Sequence, residues 1–227
     1  MALRAIVFDF DGVIANSEPL HFRAFREVLG RSGIELTAAD YYARYLGFDD
    51  VGVFRTIGAE LGKSWTMRDV ASLVADKALK LEELERDASV LFPGAADAIR
   101  RAAAAMPIAI ASGALGPEIR RILNHAGLTP HFSAIVSAED TPASKPAPDP
   151  YIRAVALLRE QIPGTPLLPS ECVAIEDSRW GLESAHEAGL HTVAVTSSYK
   201  ASELTPAELI IGSLADLDME DLHRLVH

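Results

Sequence analysis

The stretch AIVFDFDGVIANSEPLH, residues 5–21, opens as an apolar run and then sets two aspartates either side of a phenylalanine. Branched residues dominate LRAIVF (3–8), the pattern of a short buried strand. Residues two apart on an extended strand face the same way, so Asp9 and Asp11 project together while Phe10 turns into packing. Gly12 then lets the backbone turn sharply. Two carboxylates this close repel, which raises a pKa or recruits a cation. Covalent catalysis by one and acid–base work by the other suit such a pair.

Two other motifs share letters with this one and fail on context. No glycine-rich loop or His-Arg-Asp can precede residue 9, which removes a kinase reading. A calcium loop needs a third acidic position before its glycine and a glutamate at its end, and neither is present.

Working outward, further strand-like runs occur at PIAIAS (107–112), FSAIV (132–136), CVAI (172–175), HTVAV (191–195) and ELII (208–211). Helical patterns separate them. PEIRRILNHAGL puts Ile119, Ile122, Leu123 and Ala126 on one face before Gly127, and DPYIRAVALLRE starts with Asp149 as its expected N-cap and Pro150 as its first helical residue. Strands alternating with helices imply an α/β fold, a doubly wound parallel sheet of Rossmann-like type. Residues 17–90 interrupt the alternation with helical stripes only: Phe25, Val28, Leu29; then Val51, Phe54, Ile57, Leu61; then Val70, Leu73, Val74, Lys77, Leu81, Leu84. Thr66 and Asp69 stand in capping-box spacing at the start of the third. The expected organisation is a core domain of residues 1–16 and 90–227, with an inserted helical cap domain at 17–89 and hinges near 13–17 and 87–93.

Three more strand ends carry chemistry. Ser112 and Gly113 offer a hydroxyl and an amide to a phosphate oxygen; Lys145 offers a lone cation beside Pro146; Glu176 and Asp177 are hard oxygen ligands suited to Mg²⁺. Taken singly, each reads more readily as something plainer: Ser112 as a turn residue, Lys145 as a solvated loop charge, Glu176 and Asp177 as a helix N-cap. Together, at the ends of separate buried strands, they supply a nucleophile, an acid–base group, phosphate donors, a cation and metal ligands.

In order, DFDGV (9–13), ASG (111–113), SKPAPDPY (144–151) and IEDSRWGLESAHEAGL (175–190) resemble the haloacid dehalogenase-like (HAD) hydrolase superfamily. Within it the chain looks like the β-phosphoglucomutase and sugar-phosphate phosphatase branch, whose helical cap is inserted after the first motif. The resemblance implies that Asp9 is the nucleophile that forms an aspartyl-phosphate, and that Asp11 protonates the leaving oxygen and then activates water. Ser112, Gly113 and Lys145 would bind the phosphoryl group. Asp9, Asp177, the backbone carbonyl of Asp11 and Glu176 would hold Mg²⁺. His21, Arg55 and Lys77 are the cap residues expected to touch the leaving group. Asp11 argues against dehalogenation, because the dehalogenases lack it.

A phosphatase and a phosphomutase share all four motifs. The mutase carries a cap segment of the form G-x-S-R, whose arginine holds a second phosphate; here LGFDDVGVF (46–54) places Phe48, Asp49 and Asp50 there. Two acids in place of a cation would repel a second phosphate, which favours a phosphatase acting on a small monophosphate such as a sugar phosphate. Asn16 stands where many relatives carry aspartate. A phosphomutase and a catalytically idle binding protein are the alternative readings.

Bulk properties bound the rest. With 227 residues, 49% of them hydrophobic, the chain can build one good core plus an insertion. A net charge of −11 spread through the helices argues against a nucleic-acid partner, and no apolar run reaches membrane-spanning length. The start MALRAIVF is too short for a secretory leader, and Cys172 has no second thiol to pair with, so a cytoplasmic protein is expected, with a small phosphate ester as its partner and a monomer or a weak dimer as its state.

Overall fold

In the computed structural model, which describes residues 2–45, 48–87, 90–162, 164 and 166–226, the expected strands form one six-stranded parallel sheet. The strands are β1 (Ala5–Phe8), β2 (Ile108–Ala111), β3 (Ala134–Val136), β4 (Cys172–Glu176), β5 (His191–Val195) and β6 (Leu209–Ile211). Their order is β3-β2-β1-β4-β5-β6. β1 therefore lies at the centre, and the direction of winding reverses between β1 and β4. Register pairs Phe8 with Ile110 on one side and with Ile175 on the other.

Two compact units make up the chain: Met1–Asn16 with Val90–His227, and Ser17–Ser89. In the first, the helices are α5 (Ala95–Ala105), α6 (Gly116–His125), α7 (Asp149–Gln161), α8 (Arg179–Glu187) and α9 (Met219–Leu225). Ala5 and Val7 of β1 enter a buried cluster with Tyr151, Ala154 and Leu158 of α7 and Ala185 of α8. Ile6 and Phe8, turned the other way by the strand period, are also fully buried, with Phe8 edge-on to Phe132 at 6.4 Å. A sheet covered on both faces explains why its strands read as continuous apolar runs. Cys172 is buried in β4 as a small apolar residue. Among the described residues no helix is long and apolar enough to cross a membrane.

The second unit holds α1 (Glu18–Gly30), α2 (Ala38–Arg44), α3 (Asp50–Glu60) and α4 (Met67–Asp87). Both α1 and α3 pack against α4. Phe25, Val28 and Leu29 of α1 join Val53, Phe54 and Ile57 of α3 and Val70 of α4 in one core. The Thr66–Asp69 capping box forms: the Thr66 amide donates to Asp69 at 2.7 Å and the Asp69 amide to Thr66 at 3.3 Å.

Two sequence expectations need correction, and one helix is not anticipated by the sequence pattern. Leu61 is 51% exposed, because α3 ends at Glu60 and Val53 takes the buried place instead. Helix α7 begins at Asp149 rather than being capped by it; the ring of Pro148 already holds a helix-like φ of −74°, so the cap position moves one residue back. The seven-residue α2 has too few turns to print an apolar stripe, and only Tyr41 of it is buried.

Phe8→Ala removes a fully buried ring from the central strand. It is expected to lower the unfolding free energy by about 3–5 kcal/mol, measured by urea titration; a loss below about 1 kcal/mol would contradict this account of the core.

Candidate active site

The site forms where the carboxyl ends of β1, β2 and β4 meet at the reversal of winding, the place where open α/β sheets hold ligands. Asp9 follows β1 directly, its amide bonded to the Ile175 carbonyl at 2.9 Å. Glu176 ends β4 and Asp177 follows it. All three carboxylates are buried, and one ligand oxygen from each lies within 4.8 Å of the others.

Lys145 is the cation among them. Its ammonium donates to Asp9 Oδ1 at 2.8 Å and to Glu176 Oε1 at 2.5 Å, and stands 5.1 Å from the centre of the Tyr151 ring. It is a doubly paired cation rather than a lone one. Tyr151 also donates its hydroxyl to Glu176 Oε1 at 2.7 Å. The second oxygen, Oε2, accepts the Asp177 amide at 3.1 Å and the Ser178 hydroxyl at 3.2 Å.

These surroundings fix the electrostatics. Burial pushes the Asp9 carboxyl well up; the Lys145 charge opposes that, and the Glu176 and Asp177 charges add to it. Burial and then the Glu176 charge raise Asp177 to about 7, against the hydrogen bond from Ser198 and the charge of Lys145. For Lys145, burial acts downward, but the charges of Asp9 and Glu176 and the hydrogen bonds to both outweigh it, so its pKa sits above the ordinary lysine value. Three buried carboxylates thus stand around one ammonium, which is bonded to Asp9 and Glu176, and both aspartates hold a proton more tightly than a free carboxyl does. A hard divalent cation would relieve the crowding, and the donor set is all oxygen, so the residues present fit Mg²⁺.

Two glycines permit this packing. Gly12 has φ +77°, and a Cβ there would stand 1.9 Å from Asp177 Oδ2. In α8, a Cβ on Gly181 would stand 1.9 Å from Glu176 Cδ. The loop after β5 is tied to the same place, with Ser198 donating to Asp177 Oδ2 and Ser197 to the Gly12 carbonyl.

The remaining predicted residues are placed as follows. Asp11 is partly buried, its backbone bridged to Ala15 in the turn that Gly12 allows, and its charge acts on Asp177. Ser112 leaves β2 buried, its hydroxyl accepting the Ala114 amide at 3.0 Å, and Gly113 is exposed with open space where a Cβ would stand. In the helical unit, Lys77 is buried and donates to Asp50 at 2.8 Å; its nitrogen is 2.9 Å from His21 Nδ1 and 4.8 Å from the centre of the Phe25 ring. Asp50 is therefore ion-paired, and Asp49 caps α3 by accepting the Gly52 amide at 2.7 Å. The two charges expected to stand open are already engaged, while Leu46 and Gly47 of the same segment lie outside the described residues. Arg55 contacts the Met67 sulfur instead of joining the Lys77 cluster.

Tyr151, Ser197, Ser198 and Gly181 were not singled out from sequence. TSSYK (196–200) follows the β5 run just as the other polar motifs follow theirs, and a lone glycine inside the α8 pattern signals a packing demand. The Tyr151 hydroxyl has no comparable signal, since the residue reads as an apolar helix position.

Comparison with known proteins places the chain in a family. Residues 3–189 match the model of the haloacid dehalogenase-like hydrolase family. The chain is 32% identical over 230 residues to protein CbbY of Rhodobacter capsulatus, covering 95% of each. It is 28% identical over 190 residues to fructose-1-phosphate phosphatase YqaB of Escherichia coli K12, covering 84% of this chain and 95% of that one. A structure of a CbbY mutant from Rhodobacter sphaeroides in complex with xylulose-(1,5)bisphosphate has a TM-score of 0.78 and 26% identity, covering 95% of this chain and 96% of that one. The chain belongs to the haloacid dehalogenase-like hydrolase family.

Two outcomes follow from the crowding. An exposed helix position normally gains about 1 kcal/mol from Gly→Ala, but Gly181→Ala is expected to lower the melting temperature, because its Cβ displaces the Glu176 carboxyl; a stabilised variant would refute the contact. Asp177 titrates near 3.8 when unfolded and near 7 when folded, so unfolding releases a proton between those values and stability falls as pH rises through the window. Calorimetry in a chelator should show the melting temperature dropping across that range, with the slope reduced in Asp177→Asn.

Proposed function

We propose that the protein is a Mg²⁺-dependent phosphatase that hydrolyses a small phosphorylated metabolite, a sugar phosphate, through an aspartyl-phosphate on Asp9. The observation that carries this reading is the contact of Lys145 with Asp9, at 2.8 Å, inside a buried cluster of hard oxygen ligands.

Asp9 attacks phosphorus, forming an oxygen–phosphorus bond as the bond to the leaving oxygen breaks. Asp11 gives its proton to that oxygen, and the alcohol departs. Asp11, now a base, takes a proton from water, whose oxygen attacks the phosphoryl group and releases Asp9 and inorganic phosphate. Phosphoryl transfer is mainly a matter of in-line positioning and charge compensation. Lys145 supplies one cation beside the attacking carboxylate, and the Ser112 hydroxyl and Gly113 amide would bind equatorial oxygens. Asp9, Asp177, the Asp11 carbonyl and Glu176 would hold Mg²⁺, which screens the anionic phosphate from the anionic nucleophile. The pocket is acidic overall, so it depends on this local positive charge to accept an anion.

The helical unit, residues 17–89, would act as the cap that selects the leaving group, with His21 and Arg55 as its polar contacts and Lys77, buried and bonded to Asp50, holding His21 in place. Sugar-phosphate substrates are supported by the relatives, one of which is named a fructose-1-phosphate phosphatase.

Release of phosphate from p-nitrophenyl phosphate should require Mg²⁺ and fall by at least about a thousand-fold in Asp9→Asn, in line with loss of a covalent nucleophile. Undiminished turnover in that variant would sink the proposal. Incubation with β-glucose 1-phosphate and a bisphosphate primer should yield free phosphate and no glucose 6-phosphate; the reverse would establish a mutase. A panel running from fructose 1-phosphate to xylulose 1,5-bisphosphate would then rank the substrates.

A further inference from the structure

Among the side chains around the acidic cluster, Tyr151 has no part in the steps above, yet it is fully buried and touches two of the groups that do. It sits in the first turn of α7, four residues beyond the Lys145–Pro146–Ala147 segment, and reaches across to β4. Its hydroxyl donates to Glu176 Oε1, and its ring faces the Lys145 ammonium. Those two partners also hold each other, at 2.5 Å. The result is a closed triangle of phenol, carboxylate and ammonium, with one free corner of the ammonium aimed at Asp9.

We propose that Tyr151 is a positioning residue: by occupying the Glu176 oxygen that Lys145 shares, and by presenting its ring to that ammonium, it fixes the direction in which Lys145 points at Asp9 and leaves the other Glu176 oxygen turned towards Asp177. A lysine has four rotatable bonds and three equivalent donors, so a single carboxylate does not determine its orientation. Three contacts of different kind do: the carboxylate, the aromatic face and the Asp9 oxygen. Tyr151 in turn cannot shift its hydroxyl without moving α7, because Ala154 and Leu158 on the next turns are locked in the core beneath the sheet. The helix therefore sets the tyrosine, the tyrosine sets Glu176 and Lys145, and these set the position of the charge beside Asp9. Ser184 adds a second fastening from α8, its hydroxyl donating at 2.6 Å to the Ala147 carbonyl just beyond Lys145.

The inference rests on the proposed role of Lys145 and is tested so that the two fail differently. Tyr151→Phe keeps the ring and removes only the hydroxyl. Partners of this kind typically alter metal affinity or activity by about ten- to a hundred-fold when lost. The expected result is a weakening of Mg²⁺ binding by about ten-fold, read by calorimetry without substrate, and a fall of kcat on p-nitrophenyl phosphate by a similar factor with KM little changed. In a Glu176→Gln background the same substitution should add much less. Wild-type Mg²⁺ affinity and kcat in Tyr151→Phe, or full additivity with Glu176→Gln, would overturn the inference and reduce the residue to packing. An active Asp9→Asn enzyme would instead overturn the catalytic reading, leaving the calorimetric result to judge Tyr151. Should the phenylalanine variant fold poorly, proton NMR of the wild-type protein decides: a phenol held by Glu176 should give a slowly exchanging hydroxyl resonance that moves on adding Mg²⁺, and a resonance that is absent or unmoved overturns the proposal.

Discussion

The arrangement depends on one electrostatic imbalance: three buried carboxylates sharing a single buried ammonium. Removing charges from water is costly unless they are paired and hydrogen-bonded. Glu176 meets that condition, with donors on both of its oxygens. Asp9 and Asp177 meet it only in part, and both hold protons more tightly than a free carboxyl would. The surplus negative charge is what makes the place receptive to a divalent cation. The sheet makes the imbalance possible, because parallel strands with a shared register deliver their ends to one edge.

The helical unit shows the opposite treatment of charge. Lys77 is as deeply buried as the groups of the acidic cluster, yet it finds a carboxylate, an imidazole and an aromatic face within its own unit. That cluster ties α1, α3 and α4 together around a polar centre. Replacing a buried ion pair by matched apolar groups is often neutral or stabilising, so such a cluster is not in itself a source of stability.

Sequence reading reached the strands and most of the acidic cluster because both announce themselves locally. A run such as AIVF followed by DFD carries its strand, its end and its chemistry within a few residues. Asp50 is a different case: next to Asp49 it reads as open negative charge, and only a lysine 27 residues away, brought beside it by helix packing, neutralises it. Leu61 fits the α3 stripe by spacing but falls beyond the last turn, so periodicity alone misplaces it. Tyr151 shows the same limit from the other side, for an apolar pattern conceals the hydroxyl that bonds Glu176. Long-range pairing of side chains is the information that one-dimensional patterns lack.

The division of the core unit between residues 1–16 and 90–227 has a consequence for biogenesis. β1 is the hub of the sheet, but its neighbours β2 and β4 begin at residues 108 and 172. At roughly 5–20 residues per second of synthesis, an apolar segment that leaves the ribosome early waits on the order of ten to thirty seconds for both partners. During that interval AIVF is an unpaired strand with sticky edges. The chain emerging meanwhile, residues 17–89, forms a compact unit whose apolar cluster draws only on its own helices, so all the members of that cluster have been synthesised before the central strand has both of its neighbours.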